Sequence, residues 1–188
     1  MTMIKAKLPL TFDAERLAKD AGRFQADEWV PHFNIHNYQG EWSVVPLRAV
    51  KGAGLAIYPD PTSTAGYVET EQMSRCSYVG EILAALECEF ETVRFMKLAA
   101  GASIKRHRDY ALGLEDGLCR IHIPAVTNPD VDFMLADELV MMSPGEAWYL
   151  NVNNYHSVEN RGTTDRIHLV ADCVVNDWLR TMIEDSAQ

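Results

Sequence analysis

The chain has 188 residues, 47% of them hydrophobic, and a formal net charge of -10 at pH 7. This length is enough for one well-buried core and too short for two full-sized domains. The acidic balance argues against nucleic acid as the main partner, because binding phosphates requires clustered lysine and arginine. The first residues lack the apolar run of a signal peptide and no stretch is long enough to span a membrane, which predicts a cytoplasmic protein.

Strands and covering helices are predicted for residues 1–90. Alternating apolar residues indicate strands, and apolar residues at helical spacing indicate helices. Segments rich in glycine, proline and threonine indicate turns and loops. In chain order, these patterns predict a strand at 4–10, a helix beginning at Asp13, a strand at 40–48, a break at 51–54, an irregular loop at 58–66 and a helix at 78–86.

The rest of the chain is predicted to be a β-rich core over 91–173, followed by a C-terminal helix over 174–188. A strand at 92–98 leads into this core, and turn signals then recur at short intervals as far as Gly162. Such spacing favours a sandwich or jelly roll. The whole chain is therefore predicted to be one mainly β domain with flanking helices, a cupin-like double-stranded β-helix.

The four cysteines are far apart and form no Cys-x-x-Cys pair. Neither a disulfide framework nor a thiolate zinc site is indicated by such spacing. Small, buried, apolar side chains are the expected role of these residues. They are Cys76, Cys88, Cys119 and Cys173.

His107-Arg108-Asp109 is followed about fifty residues later by His156. Alternate side chains of a β-strand share a face, so His107 and Asp109 can bind one metal ion together. Two imidazoles and one carboxylate leave the opposite positions of an octahedral ion open, which is the arrangement of non-haem Fe(II) oxygenases. The spacing predicts an iron site of His107, Asp109 and His156, with His156 arriving from another strand.

A His-x-Asp tripeptide also arises by chance in a chain with six histidines and many carboxylates. His-Arg-Asp begins the catalytic loop of kinases as well, but the chain has no glycine-rich loop and no Asp-Phe-Gly sequence, which excludes that class. Arg166, ten residues beyond His156, adds a cation at the expected place for a co-substrate carboxylate. This combination favours the metal site over chance.

Two segments repeat an Arg-apolar-His-apolar pattern. Arg120 and His122 would share one face of their strand, and Arg166 and His168 one face of theirs, with Ile121, Ile123, Ile167 and Leu169 packed on the opposite faces. Buried arginines need partners. Asp172 or Glu159 could supply a protein carboxylate, but a ligand carboxylate is preferred because it matches the guanidinium in a bidentate way.

These motifs together resemble the aspartyl/asparaginyl β-hydroxylase family, and within it the bacterial enzymes that hydroxylate free amino acids such as proline. The resemblance covers the second half of the chain. It is carried by Arg106-His107-Arg108-Asp109-Tyr110, Arg120-Ile121-His122-Ile123-Pro124, Pro144-Gly145-Glu146-Ala147-Trp148-Tyr149-Leu150, His156-Ser157-Val158-Glu159-Asn160 and Arg166-Ile167-His168-Leu169-Val170.

The resemblance implies a jelly roll that binds Fe(II) and 2-oxoglutarate and hydroxylates an unactivated carbon with O2. It makes His107, Asp109 and His156 the ligands and puts Arg166 on the distal carboxylate of the oxo acid. Arg120 and His122 line the co-substrate pocket, and His168 orients Arg166 or contacts the ligand. The animal members that act on secreted protein domains lack the metal-binding carboxylate, whereas Asp109 is present here.

The expected substrate is therefore a small amino acid or a peptide. Four candidates for the substrate shell are Trp42, Arg48, Tyr110 and Trp148. The two tryptophans could equally be core aromatics and Arg48 a surface charge. His32 and His36 lie outside any recognised pattern.

Two alternatives remain open at this stage. One is a jelly roll that binds a metal and a small organic acid without turnover. The other is a cupin-type enzyme that uses a metal but no 2-oxoglutarate. Neither needs an arginine ten residues beyond the distal histidine, so replacing Arg166 discriminates between them and the oxygenase.

Overall fold

The structure is a computed structural model that describes residues 2–52 and 65–186. Its strands are β1 (Lys5–Thr11), β2 (Val30–Pro31), β3 (Tyr38–Gln39), β4 (Trp42–Val50), β5 (Tyr67–Glu69), β6 (Phe90–Leu98), β7 (Ser103–His107), β8 (Leu118–Val126), β9 (Val131–Leu135), β10 (Glu138–Leu139), β11 (Glu146–Leu150), β12 (His156–Asn160) and β13 (Arg166–Val174). The helices are α1 (Ala14–Ala21), α2 (Ser77–Ala85) and α3 (Asp177–Asp185), with short 3-10 turns at Ala26–Glu28, Ile35–Asn37, Glu71–Arg75 and Leu114–Asp116.

The strands form two antiparallel sheets. The larger sheet has the order β1-β11-β8-β13-β6-β4-β2, with β5 paired to β4, and the smaller has the order β10-β9-β12-β7-β3. A cluster of buried residues lies between them, including Val44 and Met96 from the larger sheet and Phe133 and Val158 from the smaller. This sandwich confirms the predicted mainly β jelly roll.

The other face of the larger sheet is covered by the helices. Ile121 and Ile123 of β8 belong to a second apolar cluster with Leu17 of α1, Ile82 of α2 and Leu179 of α3. Because side chains alternate along a strand, Arg120 and His122, which alternate with these isoleucines, face the space between the sheets. The larger sheet is thus apolar toward the helices and offers its polar side chains to the interior of the sandwich.

Helices α1 and α2 are joined by a buried carboxylate. Asp13 caps α1 by accepting a hydrogen bond from the backbone nitrogen of Arg16 at 3.0 Å. At the other end of α1, Asp20 accepts hydrogen bonds from the backbone nitrogens of Tyr78 and Val79 at 2.8 and 3.1 Å. These are among the first amides of α2, which have no partner inside the helix, so Asp20 supplies the cap that the sequence before α2 lacks.

The predicted elements match the structure within a few residues at their ends. The strand predicted at 4–10 is β1, the helix beginning at Asp13 is α1, and the helix predicted at 78–86 is α2. The C-terminal helix is shorter than predicted, because Asn176 caps α3 by accepting from the backbone nitrogen of Leu179 at 2.9 Å. The predicted loop at 58–66 lies mostly outside the described residues.

The N-terminal strands belong to the same sheets as the later ones. β4 pairs with β6, and β1 pairs with β11, so the larger sheet draws on both halves of the chain. The division into 1–90, 91–173 and 174–188, and the assignment of 1–188 to one domain, stay predictions.

The state of the cysteines and the character of the helices can be compared with the sequence analysis. All four cysteines are free, three of them buried and Cys88 partly buried, in agreement with the expected apolar role. Over 2–52 and 65–186, no helix combines the length and the apolar character that crossing a membrane requires.

Candidate active site

A cavity of about 350 Å³ lies between the two sheets. Strands of both sheets supply its walls, and the segment that follows β2 supplies part of its mouth. Eight of the eleven predicted site residues line it: Trp42, His107, Asp109, Tyr110, Arg120, His122, His156 and Arg166.

His107 and His156 form the centre of the site. They are directly paired residues of β7 and β12, and their ring centroids are 4.2 Å apart. The Nδ1 atom of His107 lies 2.7 Å from the carbonyl oxygen of Lys105, and that of His156 lies 3.1 Å from the carbonyl oxygen of Asn154. A carbonyl only accepts, so each Nδ1 carries the proton and each Nε2 keeps a free lone pair.

Asp109 reaches the two histidines from a different position than predicted. β7 ends at His107, so Asp109 does not share a strand with it, and its backbone nitrogen donates instead to the carbonyl oxygen of Val152 at 2.9 Å. The carboxylate nevertheless turns toward the histidines, with Oδ1 4.0 Å from Nε2 of His107. One ligand atom from each of His107, Asp109 and His156 lies within 4.8 Å of the other two.

This trio suits a first-row transition metal. Its donor set is two neutral imidazoles and one carboxylate, the set found around non-haem iron. Burial lowers the pKa of His156 to about 4, so that ring is neutral and able to bind a metal at pH 7. Burial alone would raise the pKa of Asp109, but the charge of Arg120 acts in the opposite direction; the pKa lies below its usual value, which keeps the carboxylate ionised.

Arg166 lies deeper in the cavity and is 2% exposed. Its Nη2 donates to Nδ1 of His168 at 2.9 Å, because a guanidinium has no lone pair to accept with. Its Nε has no hydrogen-bond partner, and within the described residues no carboxylate pairs with it. Burial lowers the pKa of Arg166 to about 9, which reflects the cost of a buried cation without a counter-charge.

His122 is a second residue of the cavity with buried polar atoms that lack hydrogen-bond partners. Both of its ring nitrogens are buried without a hydrogen-bond partner among the described residues. Its ring lies 5.7 Å from that of His168, centroid to centroid. Buried polar groups of this kind are rarely left unpaired in a folded protein. Arg166 and His122 therefore form a candidate binding site for a ligand with acceptor oxygens.

Arg120 differs from the expectation. Its Nε and Nη2 donate to Asp172 at 2.7 and 3.2 Å, and its Nη1 donates to Oδ2 of Asp109 at 2.5 Å. The preference for a ligand carboxylate is therefore wrong for Arg120, since protein carboxylates occupy its guanidinium. Asp172 is its direct neighbour on β13, whereas Arg166 has no carboxylate opposite it.

Two of the four substrate-shell candidates line the cavity and two do not. Trp42 is 5% exposed with an unpartnered Nε1, and Tyr110 lies at the mouth, 72% exposed. Arg48 lies outside the cavity: it follows a register shift after Pro46, and its Nε donates to the carbonyl oxygen of Phe90 at 2.9 Å. Trp148 also lies outside the cavity, and its Nε1 donates to Glu146 at 2.9 Å.

The sequence interpretation missed several residues of the cavity, among them His32 and Arg94. His32 stacks on Trp42 with ring centroids 3.5 Å apart, in a segment whose backbone pairs with Trp42. No linear pattern marks it, because His32 belongs to an irregular segment far from the motifs. Arg94 is also buried in the wall, and here a signal existed: Thr92 and Arg94 alternate with Val93 and Phe95 along β6.

A jelly roll holding two histidines and one carboxylate is the architecture of the non-haem oxygenase class. The family model described as Aspartyl/Asparaginyl beta-hydroxylase matches residues 11–175 of the chain. The chain therefore belongs to the aspartyl/asparaginyl β-hydroxylase family.

Individual proteins that resemble the chain in sequence or in fold include hydroxylases and oxygenases. The chain is 25% identical over 166 residues to L-proline cis-4-hydroxylase of Rhizobium meliloti (strain 1021), covering 86% of this chain and 57% of that protein. It thus spans little more than half the length of this relative. Its fold is similar to that of a Pseudomonas putida prolyl-4-hydroxylase, with a TM-score of 0.54 at 15% identity over 92% of both chains.

A 2OG-Fe(II) oxygenase family protein from Burkholderia pseudomallei has a similar fold as well, with a TM-score of 0.55 at 11% identity over 85% of this chain and 77% of that one. At such identities these likenesses concern the fold.

The buried histidines predict an acid-sensitive protein. Burial lowers the pKa of His122 and His168 well below the usual 6.5, so the folded protein leaves them neutral while the unfolded chain protonates them. Protons then favour unfolding below pH 6.5, by about 1.4 kcal/mol per pH unit for each histidine. Between pH 6.5 and 5, the metal-free protein should lose on the order of 2 kcal/mol of unfolding free energy per buried histidine.

Urea unfolding of the metal-free protein at pH 7, 6 and 5 measures this loss. His122→Gln should reduce the dependence on pH, and the matched variant of the exposed His36, His36→Gln, should leave it unchanged. Asp172 does not contribute in this range: burial opposes its ionisation, but Arg120 and Arg94 hold its pKa far below the usual value, so its contribution is lost only in stronger acid. An unfolding free energy that does not change from pH 7 to 5 would contradict the interpretation that His122 and His168 stay neutral in the folded protein.

Proposed function

We propose that this protein is an Fe(II)- and 2-oxoglutarate-dependent dioxygenase that hydroxylates an unactivated carbon of a small amino acid or peptide. The single observation that carries the proposal is the buried Arg166, which has no carboxylate partner among the described residues and shares one cavity with the His107, Asp109 and His156 trio. Family membership supports the proposal, as does the proline hydroxylase named among the relatives.

In this proposal each residue has a defined task. His107 and His156 bind iron through Nε2, the nitrogens left free by their backbone hydrogen bonds. Asp109 is the third ligand. Iron and 2-oxoglutarate, when bound, supply with O2 the oxidant that the side chains themselves lack.

The remaining cavity residues orient the organic acid and the substrate. Arg166 would bind the distal carboxylate of 2-oxoglutarate, since a guanidinium forms bidentate hydrogen bonds with a carboxylate. His168 accepts from Nη2 of Arg166 and so fixes the plane of the guanidinium. His122 lines the same cavity as Arg166 and could donate a hydrogen bond to the oxo acid. The buried apolar part of the wall would limit the access of water to the reacting atoms.

Metal-binding cupins without 2-oxoglutarate are not favoured. Such a protein has no need to bury a cation that lacks a counter-charge, and that burial is costly. Arg166 carries this cost, and an anionic co-substrate would remove it.

The decisive experiment is an anaerobic titration of the purified protein with Fe(II) and 2-oxoglutarate. We expect a visible charge-transfer band, because a keto acid chelated to Fe(II) absorbs in that range. Glutarate, which has both carboxylates but no keto group, is the matched control and should give no band. Tight metal binding without a band for 2-oxoglutarate would exclude the oxygenase and favour a metal-binding cupin.

Trp42 and Tyr110 are the proposed substrate contacts. Trp42→Phe keeps an aromatic side chain, although a smaller one, and removes the unpartnered Nε1 donor. A neutral hydrogen bond is worth about 1 kcal/mol, so KM for the amino acid substrate should rise about fivefold. Trp178→Phe, a change on α3 away from the cavity, is the matched control. Succinate release at varied substrate concentration gives both KM values, and an unchanged KM for Trp42→Phe would remove Trp42 from the substrate shell.

A further inference from the structure

A buried network of charged side chains lies behind the trio. At its centre, Asp172 of β13 is 4% exposed. Its Oδ1 accepts from Nε of Arg120 at 2.7 Å, and its Oδ2 accepts from Nη2 of Arg120 at 3.2 Å. The same Oδ2 accepts from Nη2 of Arg94 at 3.2 Å and from the hydroxyl of Thr92 at 2.6 Å. The carboxylate is therefore held in one orientation from three sides.

The network uses the two edges of the Arg120 guanidinium separately. One edge, formed by Nε and Nη2, is taken by Asp172. The other edge presents Nη1, which donates to Oδ2 of Asp109. Because the guanidinium is planar and rigid, fixing one edge fixes the direction of the other. Asp172 thereby determines where Arg120 holds Asp109.

This contact distinguishes the two oxygens of Asp109. Oδ2 is occupied by Arg120, whereas Oδ1 is on the side of the histidines, 4.0 Å from Nε2 of His107. Asp109 is thus prepared to offer a metal one oxygen and to keep the other for Arg120. Side chains behind a metal ligand commonly fix its orientation in this way.

The charges of the network explain why Asp172 is needed. Arg94 and Arg120 are both at least nine-tenths buried, and Asp172 contacts both of them. Without Asp172, Asp109 would be the only carboxylate among the described residues left in contact with Arg120. Arg120 would then compete with a metal for both oxygens of Asp109.

We propose that Asp172 is a positioning residue for metal binding, acting through Arg120 on Asp109. The inference rests on the metal site of the proposed function and adds a residue outside the ligand trio. It predicts that removing the charge of Asp172 weakens metal binding although no ligand is changed.

The test measures the dissociation constant of Mn(II) alone, from the electron paramagnetic resonance signal of the free ion. Asp172→Asn keeps the size of the side chain and removes its charge, and we expect metal affinity to fall about 10- to 100-fold. Asp172→Glu restores the charge and should recover part of the affinity. Asp132→Asn, which removes a carboxylate paired with Arg161 outside the cavity, is the matched control and should bind like the wild type.

Two further measurements separate positioning from unfolding. The urea midpoint of each metal-free variant shows whether it is folded under the conditions of the titration. If Asp172→Asn does not fold, Thr92→Val, which removes one hydrogen bond to Asp172 and keeps the shape, should weaken Mn(II) binding a few-fold. A folded variant with wild-type affinity would overturn the role of Asp172 while leaving the metal site intact. A wild type that binds no metal would overturn the proposed function as well.

Discussion

The Arg166→Gln variant should bind metal like the wild type and lose turnover that depends on 2-oxoglutarate. Two charge-assisted hydrogen bonds to a carboxylate, at about 2 kcal/mol each, correspond to a fall in kcat/KM for 2-oxoglutarate on the order of a thousandfold. Arg16→Gln, which removes an arginine of an exposed pair with Glu81, is the matched control and should leave the constant unchanged. Succinate formation at varied 2-oxoglutarate measures both variants.

The same variant separates binding from folding. The metal-free wild type holds an uncompensated cation in its interior, so replacing Arg166 by a neutral residue should leave the unfolding free energy equal or higher. A variant that is stable, binds Mn(II) normally and has no activity would identify Arg166 as the anchor of the co-substrate. Full iron-dependent turnover by Arg166→Gln would show that the organic acid is bound elsewhere, and would favour a cupin-type enzyme without 2-oxoglutarate.

Local alternation was enough to predict the faces of the central strands. Ile121 and Ile123 pack against the helices while Arg120 and His122 line the cavity, because a strand sends successive side chains to opposite faces. This pattern is a property of a few consecutive residues and survives whatever the strand pairs with. The jelly roll and the part of the cavity wall that β8 and β13 supply were therefore accessible from the sequence.

Partners across the sheet were not accessible in the same way. Arg120 pairs with Asp172 because β8 and β13 lie in the register that puts these residues opposite each other. A shift of one residue would have put the two side chains on opposite faces. The sequence supplied Asp172 as one possible partner, but only the register decided between it and a ligand. Arg166 differs for the same reason, since Leu98 is its partner on β6.

The ends of strands and the register shifts within them were also not predictable from the local sequence. Asp109 was placed on the strand of His107, but its backbone pairs with Val152, so the strand ends two residues earlier. Arg48 was placed near the substrate, but a register shift in β4 precedes it. Turns and bulges of this kind depend on contacts between distant segments, which periodicity does not report.

Replacing Asp109 should have the largest effect on metal binding. Asp109→Asn preserves the shape of the side chain and removes one negative charge from the trio. Even two unit charges about 4 Å apart interact by about 4 kcal/mol at an effective dielectric constant near 20, and Mn(II) is divalent, so its affinity should fall at least on the order of a thousandfold. Asp137→Asn, in an exposed pair with Arg106, is the matched control and should bind like the wild type.

The loss should exceed that of Asp172→Asn, and the difference is informative. Asp109→Asn removes a ligand charge and also leaves Nη1 of Arg120 without its carboxylate, so a cation then faces the metal. Asp172→Asn leaves the ligand charge in place and acts on it only through Arg120. If both acted through general destabilisation, the two losses would follow the urea midpoints of the variants. If Arg120 couples them, the double variant should bind about as weakly as Asp109→Asn alone, because Asp172 has no carboxylate left to position.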